Sequence, residues 1–296
     1  MHLTLDDRLR LGLTSGFVSI AFWIVVYVPQ IAEIIYLQSG EGLSVLFLCI
    51  WLTGDLTGLA GAVVQKLTPT ISLLAVYYAL CDILMLYLIY YYRMKRRRHP
   101  ELFDKNGTGS RIIEASERSP LLSSNRYADE DDEDTSIVQK ARACIKHNWI
   151  SILAYTLAAI FIITTGVVAW ISTGKHKNVP RQDEGWSTPG QAVGWISAAL
   201  YLGSRIPQII KNTETKCQGL SLMMFCFSVL GNITYCGTIL LPSTAPQHIW
   251  LNLSWLVGSA GTIFLDFFVL GQFVWYRKDR HEHVYIAGGE SEISGL

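Results

Sequence analysis

Only 15 charged residues of this chain lie outside three short segments, 1–11, 93–147 and 277–296. Between those segments run long apolar stretches broken by short polar joints. A soluble domain carries roughly 25% charged residues, so a body this poor in charge has no water-facing surface to offer. In a bilayer the same poverty fits, because a spanning helix needs about 20 mostly apolar residues. Within lipid every backbone polar group must be satisfied inside its own segment or in a closed barrel. Seven stretches qualify, at 13–37, 43–65, 69–92, 149–172, 190–212, 219–241 and 249–275. None alternates as barrel strands do. The expectation is an all-α membrane protein with seven transmembrane helices.

Lys and Arg mark the cytosolic side of such proteins. Arg93-Met94-Lys95-Arg96-Arg97-Arg98 follows the third stretch, Lys211 and Lys216 lie between the fifth and sixth, and Arg277-Lys278-Asp279-Arg280 follows the seventh. All three places share one side if the N-terminus is on the other. Residues 1–12 are then a lumenal or outside N-terminus, 173–189 a loop on that same side, and 276–296 a cytosolic tail. Tyr90, Tyr91, Tyr92, Trp149, Trp250 and Trp275 near span ends suit an interfacial belt. The first 20 residues lack a basic region followed by a short apolar core, so no cleaved leader is expected. With 24 Lys+Arg against 24 Asp+Glu, no nucleic-acid footprint is visible.

Residues 93–148 form a cytosolic linker with a basic start, a Gly/Ser-rich middle and the acidic run Asp129-Glu130-Asp131-Asp132-Glu133-Asp134. Dense charge with little apolar content cannot bury a core, which predicts disorder. The basic start either meets anionic lipid or acts as a stop-transfer anchor.

A repeat organises the apolar body. Gly16 stands 13 residues before Pro29-Gln30, and Gly194 stands 13 before Pro207-Gln208. Gly42-Leu43-Ser44 answers to Gly219-Leu220-Ser221; 12 residues after each glycine come Gly54-Asp55 and Gly231-Asn232. Asp82 and Asp266 each fall 11 residues before Arg93 and Arg277. Spans 1–3 (13–92) and 5–7 (190–275) are therefore two copies of one unit, and 149–172 is the connector helix. Three is odd, so the extra crossing makes both copies enter the membrane in the same sense. Such parallel repeats pair about an axis along the membrane normal and place a site near mid-membrane.

These residues resemble the PQ-loop family: Tyr27-Val28-Pro29-Gln30 and Ser204-Arg205-Ile206-Pro207-Gln208-Ile209, each followed by its Gly-Leu-Ser joint, on a three-plus-one-plus-three layout. The chain looks most like the vacuolar and lysosomal cationic amino acid transporters, above all at Ser204-Arg205-Ile206-Pro207-Gln208-Ile209-Ile210-Lys211-Asn212 and Asn252-Leu253-Ser254-Trp255-Leu256-Val257-Gly258-Ser259. The resemblance covers all seven spans but neither linker nor tails. It implies a PQ-loop or SWEET-like fold. It also implies alternating-access transport of lysine, arginine or histidine across a vacuolar or lysosomal membrane, coupled to protons.

Proline lacks an N–H and crowds the carbonyl four residues back. Pro29 thus frees the Val25 carbonyl and Pro207 that of Gly203, with Gln30 and Gln208 able to bond freed backbone groups. The pair reads as two hinges or as two static kinks. Asp55, Asp82 and Asp266 lie deep in spans, where a charge costs about 2.5–3.5 kcal/mol on insertion scales and faces a cavity or a partner. A carboxyl out of water favours its neutral form, which suits a proton site and equally a site for a cationic solute. The alternative is a structural partner, Arg205 among them. Asn232, the repeat mate of Asp55, would help hold the polar ends of an amino acid. Arg205 can clasp a substrate carboxylate, snorkel to the interface, or pair with a membrane Asp. Glu33 and Lys211, each four residues past its Pro, form a cross-half gate or are solvated charge. The glycines Gly54, Gly58, Gly61, Gly231, Gly258 and Gly261 favour close helix packing. Tyr201, Tyr235, Trp195 and Trp255 line a cavity or pack in core and belt.

The six cysteines show no metal spacing and no disulfide pattern. No metal, cofactor, phosphate loop or nucleophile elbow is expected, so catalysis has no supporting constellation. Asn106-Gly107-Thr108 is a sequon on the cytosolic side, expected to stay bare. Glu117-Arg118-Ser119-Pro120-Leu121-Leu122 reads as an acidic dileucine signal for a sorting adaptor complex, its key positions Glu117, Leu121 and Leu122. Competing readings are a seven-helix receptor or nutrient sensor, or a sugar or cystine carrier. The repeat argues against a G-protein-coupled receptor and the carboxylates against a neutral sugar.

Overall fold

In the computed structural model residues 4–64, 69–98, 153–173 and 188–279 are described, with backbone alone for 61–64 and 69–72. The described chain is all helical: α1 Leu5–Val25, α2 Tyr27–Leu37, α3 Val45–Val64, α4 Pro69–Arg98, α5 Leu153–Thr173, α6 Thr188–Thr215, α7 Leu222–Leu240, α8 Pro246–Leu251 and α9 Leu253–Trp275. Among the described residues, five helical stretches are long and apolar enough to cross a membrane: Leu5–Leu37, Leu73–Arg98, Leu153–Thr173, Leu222–Leu240 and Leu253–Trp275. The apolar part of α3, Val45–Ala60, is shorter. α6 is long but is not among the five. Its Ser204, Arg205, Gln208 and Asn212 lower its apolar content, and all four point inward.

Several boundaries differ from those the apolar pattern predicts. The first helix starts at Leu5 rather than 13, because Thr4 caps it: the Thr4 hydroxyl accepts from Asp7 N (3.2 Å) and the Asp7 carboxylate accepts from Thr4 N (3.3 Å), the two-way exchange of a capping box. α4 runs through 93–98, the predicted start of the linker, since Lys and Arg in a last turn favour the helix C-terminus. The seventh stretch is split at Asn252 into α8 and α9. Most of the linker, with Glu117, Leu121, Leu122 and the sequon, lies outside the described residues, as does most of the loop 173–189.

α1 packs on α7 and α3 on α6; α3 also packs on α4, and α7 on α9. Exchanging α1, α3 and α4 for α6, α7 and α9 converts each of these pairs into the other. The interior is unusually polar, with Ser19, Gln30, Asp55, Asp82, Arg205, Gln208, Asn232 and Asp266 all buried, while Leu80, Ile163, Phe264, Phe268 and Val274 face outward. Such a surface suits lipid as its solvent. α5 presents nearly all its apolar side chains outward, and leans on α1, where Arg10 donates to the Trp170 carbonyl (3.3 Å) and stacks over its ring (4.2 Å).

Candidate functional site

A cavity of about 440 Å³ lies between α1–α4 and α6–α9, within the size range of small-molecule sites. Of the five candidate binding residues, Asp55, Asn232 and Arg205 line it. Asp82 and Asp266 are fully buried behind that wall.

Asp55 comes from α3. The Tyr201 hydroxyl of α6 donates to its Oδ1 at 2.7 Å, an approach that Gly54 permits by offering no side chain to the ring. Asp55 Oδ2 receives no hydrogen bond among the described residues, and neither oxygen of Asp82 does. The two carboxyls lie within hydrogen-bonding reach of one another, with Tyr27 beside both. Two acids therefore lie side by side, three of their oxygens forming no hydrogen bond and neither acid touching a cation among the described residues.

The equivalent place in the other half is closed. Arg205, repeat mate of Tyr27, pairs through Nε with Asp266 Oδ1 (3.0 Å), and donates from Nη1 to Ser204 Oγ (3.0 Å) and from Nη2 to Ser228 Oγ (3.2 Å). Ser228 in turn donates to Asp266 Oδ2 (2.5 Å). The guanidinium sits over the rings of Trp51 (4.9 Å) and Phe47 (5.4 Å). Of the three roles open to Arg205, the ion pair is the one formed. Asn232 Nδ2 donates to the Ser228 carbonyl at 2.9 Å, and binds this cluster to the cavity wall.

The paired glutamines hold neither of the carbonyls that the prolines free. Each spans to the joint of the opposite half. Gln30 Nε2 donates to Gly219 O (3.1 Å) and its Oε1 accepts from Ser221 N (2.8 Å). Gln208 Nε2 donates to Gly42 O (2.9 Å) and its Oε1 accepts from Ser44 N (2.7 Å). The joints meet so closely that a Cβ on Gly42 would run into the backbone of Gln218 and Gly219. Gly219 has φ +72°, a conformation glycine adopts freely. The prolines differ slightly: ahead of Pro29 the helical hydrogen bonds break off at Val26 alone, which keeps helical angles (φ −57°, ψ −34°), whereas α6 runs on through Pro207. Tyr77 OH donates to Ile24 O (2.5 Å) beside that break in the bonding.

Lys211 pairs with Glu214 (2.9 Å) rather than with Glu33. Across the same end, Arg96 meets Glu41 (2.6 Å) on the surface. Sequence reasoning did not single out Ser204, Ser228, or the bond from Tyr201 to Asp55. Ser228 is the repeat mate of Trp51, and both hold Arg205, so the register alone pointed to it.

The family model described as PQ loop repeat matches residues 11–71 and 189–248. The chain is 34% identical over 295 residues to the vacuolar lysine transporter YPQ1 of Saccharomyces cerevisiae, covering 93% of this chain and 96% of that protein. It is 34% identical over 291 residues to the vacuolar histidine transporter YPQ3 of the same yeast, covering 92% and 94%. Against the lysosomal amino acid transporter 1 homolog of Homo sapiens it is 29% identical over 281 residues, covering 92% and 84%. No solved structure matches it.

Proposed function

The chain belongs to the PQ-loop repeat family, and from that premise we propose that it carries lysine, histidine or arginine across a vacuolar or lysosomal membrane. Seven spans form two like-facing three-helix halves around the cavity, with α1–α2 counted as one span, α8–α9 as another and α5 as the connector. The N-terminus is lumenal and the C-terminus cytosolic. Glu117, Leu121 and Leu122 address the protein through a sorting adaptor.

One observation carries the substrate reading. Asp55 borders the cavity and is backed by Asp82, neither in contact with a cation among the described residues, while the cation in that wall, Arg205, is spent on Asp266. The cavity is thus biased toward a positive solute. Two facing acids buried together repel unless one proton or one cation lies between or before them. A proton held by the pair and a cation bound at Asp55 are then alternatives, which makes the carrier an exchanger of cation for proton. Asn232 serves the amino acid's polar end. The joints and their two glutamines form the cytosolic closure, and Pro29, where the helical hydrogen bonds lapse, is the point about which the first half bends to open it.

Reconstitution of the full chain into liposomes with an acidic interior tests this. Radiolabelled lysine, arginine or histidine accumulates and dissipation of the pH difference stops it, whereas glucose and cystine do not enter. Entry of none of the three cationic solutes overturns the reading.

A further inference from the structure

The side of the cavity that carries Asp55 is built of aromatic rings, Trp23 and Tyr78 partly open and Tyr27 and Trp51 buried behind them. Trp23, Tyr27, Trp51 and Tyr78 all line it. Their centroids follow one another in a closed circuit: Trp23 to Tyr78 at 6.3 Å, Tyr78 to Tyr27 at 6.2 Å, Tyr27 to Trp51 at 5.4 Å, and Trp51 back to Trp23 at 6.4 Å. Trp23 is pinned from behind, its Nε1 lying against Gly231 of α7, where a Cβ would stand 3.1 Å away. Trp51 already accepts a cation on its face, the Arg205 guanidinium. Of the four rings only Trp23 has an aromatic counterpart in the second half, Tyr201; the positions of Tyr27, Trp51 and Tyr78 hold Arg205, Ser228 and Thr262.

Ring faces attract a cation electrostatically without asking it for hydrogen-bond donors, which is why aromatic cages take quaternary ammonium groups. Asp55 asks for none either. One of its oxygens accepts from Tyr201 and the other is buried without a hydrogen bond, so the carboxylate reaches the cavity through its charge. A lysine side chain whose ammonium protons are replaced by methyl groups keeps its charge and gains apolar contact with the rings.

We propose that Trp23 and Tyr78, backed by Tyr27 and Trp51, form with Asp55 an aromatic cation site that accepts N-methylated basic amino acids, trimethyllysine among them, as ligands of the cavity. This rests on the reading of the protein as a carrier of basic amino acids and extends its substrate class to the modified residues released when methylated proteins are degraded.

Two measurements on the full chain separate the extension from the premise. Thermal stabilisation in detergent reads binding, and uptake into liposomes reads transport, each with lysine, trimethyllysine and the neutral isostere norleucine. Trimethyllysine binds within about tenfold of lysine and competes for its uptake, while norleucine does neither. Binding of lysine without trimethyllysine at a hundredfold excess (about two decades of affinity) overturns the aromatic site and leaves the carrier reading intact. Binding of trimethyllysine with no lysine uptake supports the site and overturns the carrier. Binding of neither overturns both. Trp23→Leu weakens trimethyllysine more than lysine; Trp23→Phe, which keeps the packing but has the poorer ring, gives the same order with a smaller loss. Equal losses for both ligands in both variants contradict the proposal.

Discussion

The two halves carry the same register and resolve it in opposite ways. In the second half the position of Tyr27 is an arginine, and Arg205 with Asp266, Ser204 and Ser228 makes a buried cluster in which opposite charges meet. In the first half the position of Arg205 is a tyrosine. Asp82 there has no cation, and Asp55 faces it where the second half has the neutral Asn232. The prolines differ less, Pro29 following a one-residue lapse in the helical hydrogen bonds at Val26 and Pro207 lying inside a continuous run. Gln208 belongs to an amide chain, donating to Asn212 (2.8 Å), which donates to Gln272 (2.7 Å), while Ile34 takes the place of Asn212 in the first half. One half is locked by polar contacts and the other leaves its acids without a cation in contact. A duplicated fold can thus assign scaffold and chemistry to different copies through a few exchanges, Tyr27 for Arg205 and Asp55 for Asn232 foremost.

The comparison is broken most severely at the ion pair. Removing one partner of a buried pair costs about 3–5 kcal/mol. Asp266→Asn should therefore lower the melting temperature of the detergent-purified protein sharply, while the repeat-mate change Asp82→Asn, which relieves repulsion, leaves it unchanged or raises it. Equal losses at both positions would erase the division. Next in size is Asp55→Asn. A hydrogen bond or contact to a charged group contributes about 1.5–3 kcal/mol, so lysine affinity should fall at least about tenfold, with protein level preserved. Lysine binding by the wild type should weaken as pH falls, because protonation of the carboxyl pair removes the charge that attracts the cation. Asp82→Asn should flatten that dependence.

Smaller effects sharpen the contrast at the cytosolic end. Gln208→Leu strands Ser44 N–H and Gly42 O and cuts the amide chain, whereas Gln30→Leu strands Gly219 O and Ser221 N–H alone. Each orphaned group costs about 1–3 kcal/mol, so the Gln208 variant should melt lower, by scanning calorimetry. Smallest is Tyr77→Phe, which removes one bond to Ile24 O beside the break, a loss of about 1 kcal/mol.

Much of this was readable in the sequence because the repeat gives a ruler. It put Asp82 opposite Asp266 and Asp55 opposite Asn232, and it marked both Pro-Gln pairs and both Gly-Leu-Ser joints. What it could not supply is contact between residues far apart in the chain. The bonds of Gln30 reach 189 and 191 positions along, and nothing local distinguishes them from bonds to the carbonyls that proline frees. The bond from Tyr77 of α4 to Ile24 O, 53 positions away, was hidden for the same reason. Hydropathy also understates α6, since a helix that turns Ser204, Arg205, Gln208 and Asn212 inward averages as polar.

The central claim is that the first half exchanges a proton for the bound cation while the second holds still. Calorimetric titration of the full-length protein with lysine, in buffers of different ionisation enthalpy, counts the protons released on binding. The account predicts release of up to about one proton per lysine at acidic pH in the wild type, its loss in Asp82→Asn, and its persistence in any Asp266→Asn protein that remains folded. Lysine binding with no proton release at any pH, or release abolished by Asp266→Asn and untouched by Asp82→Asn, would contradict it.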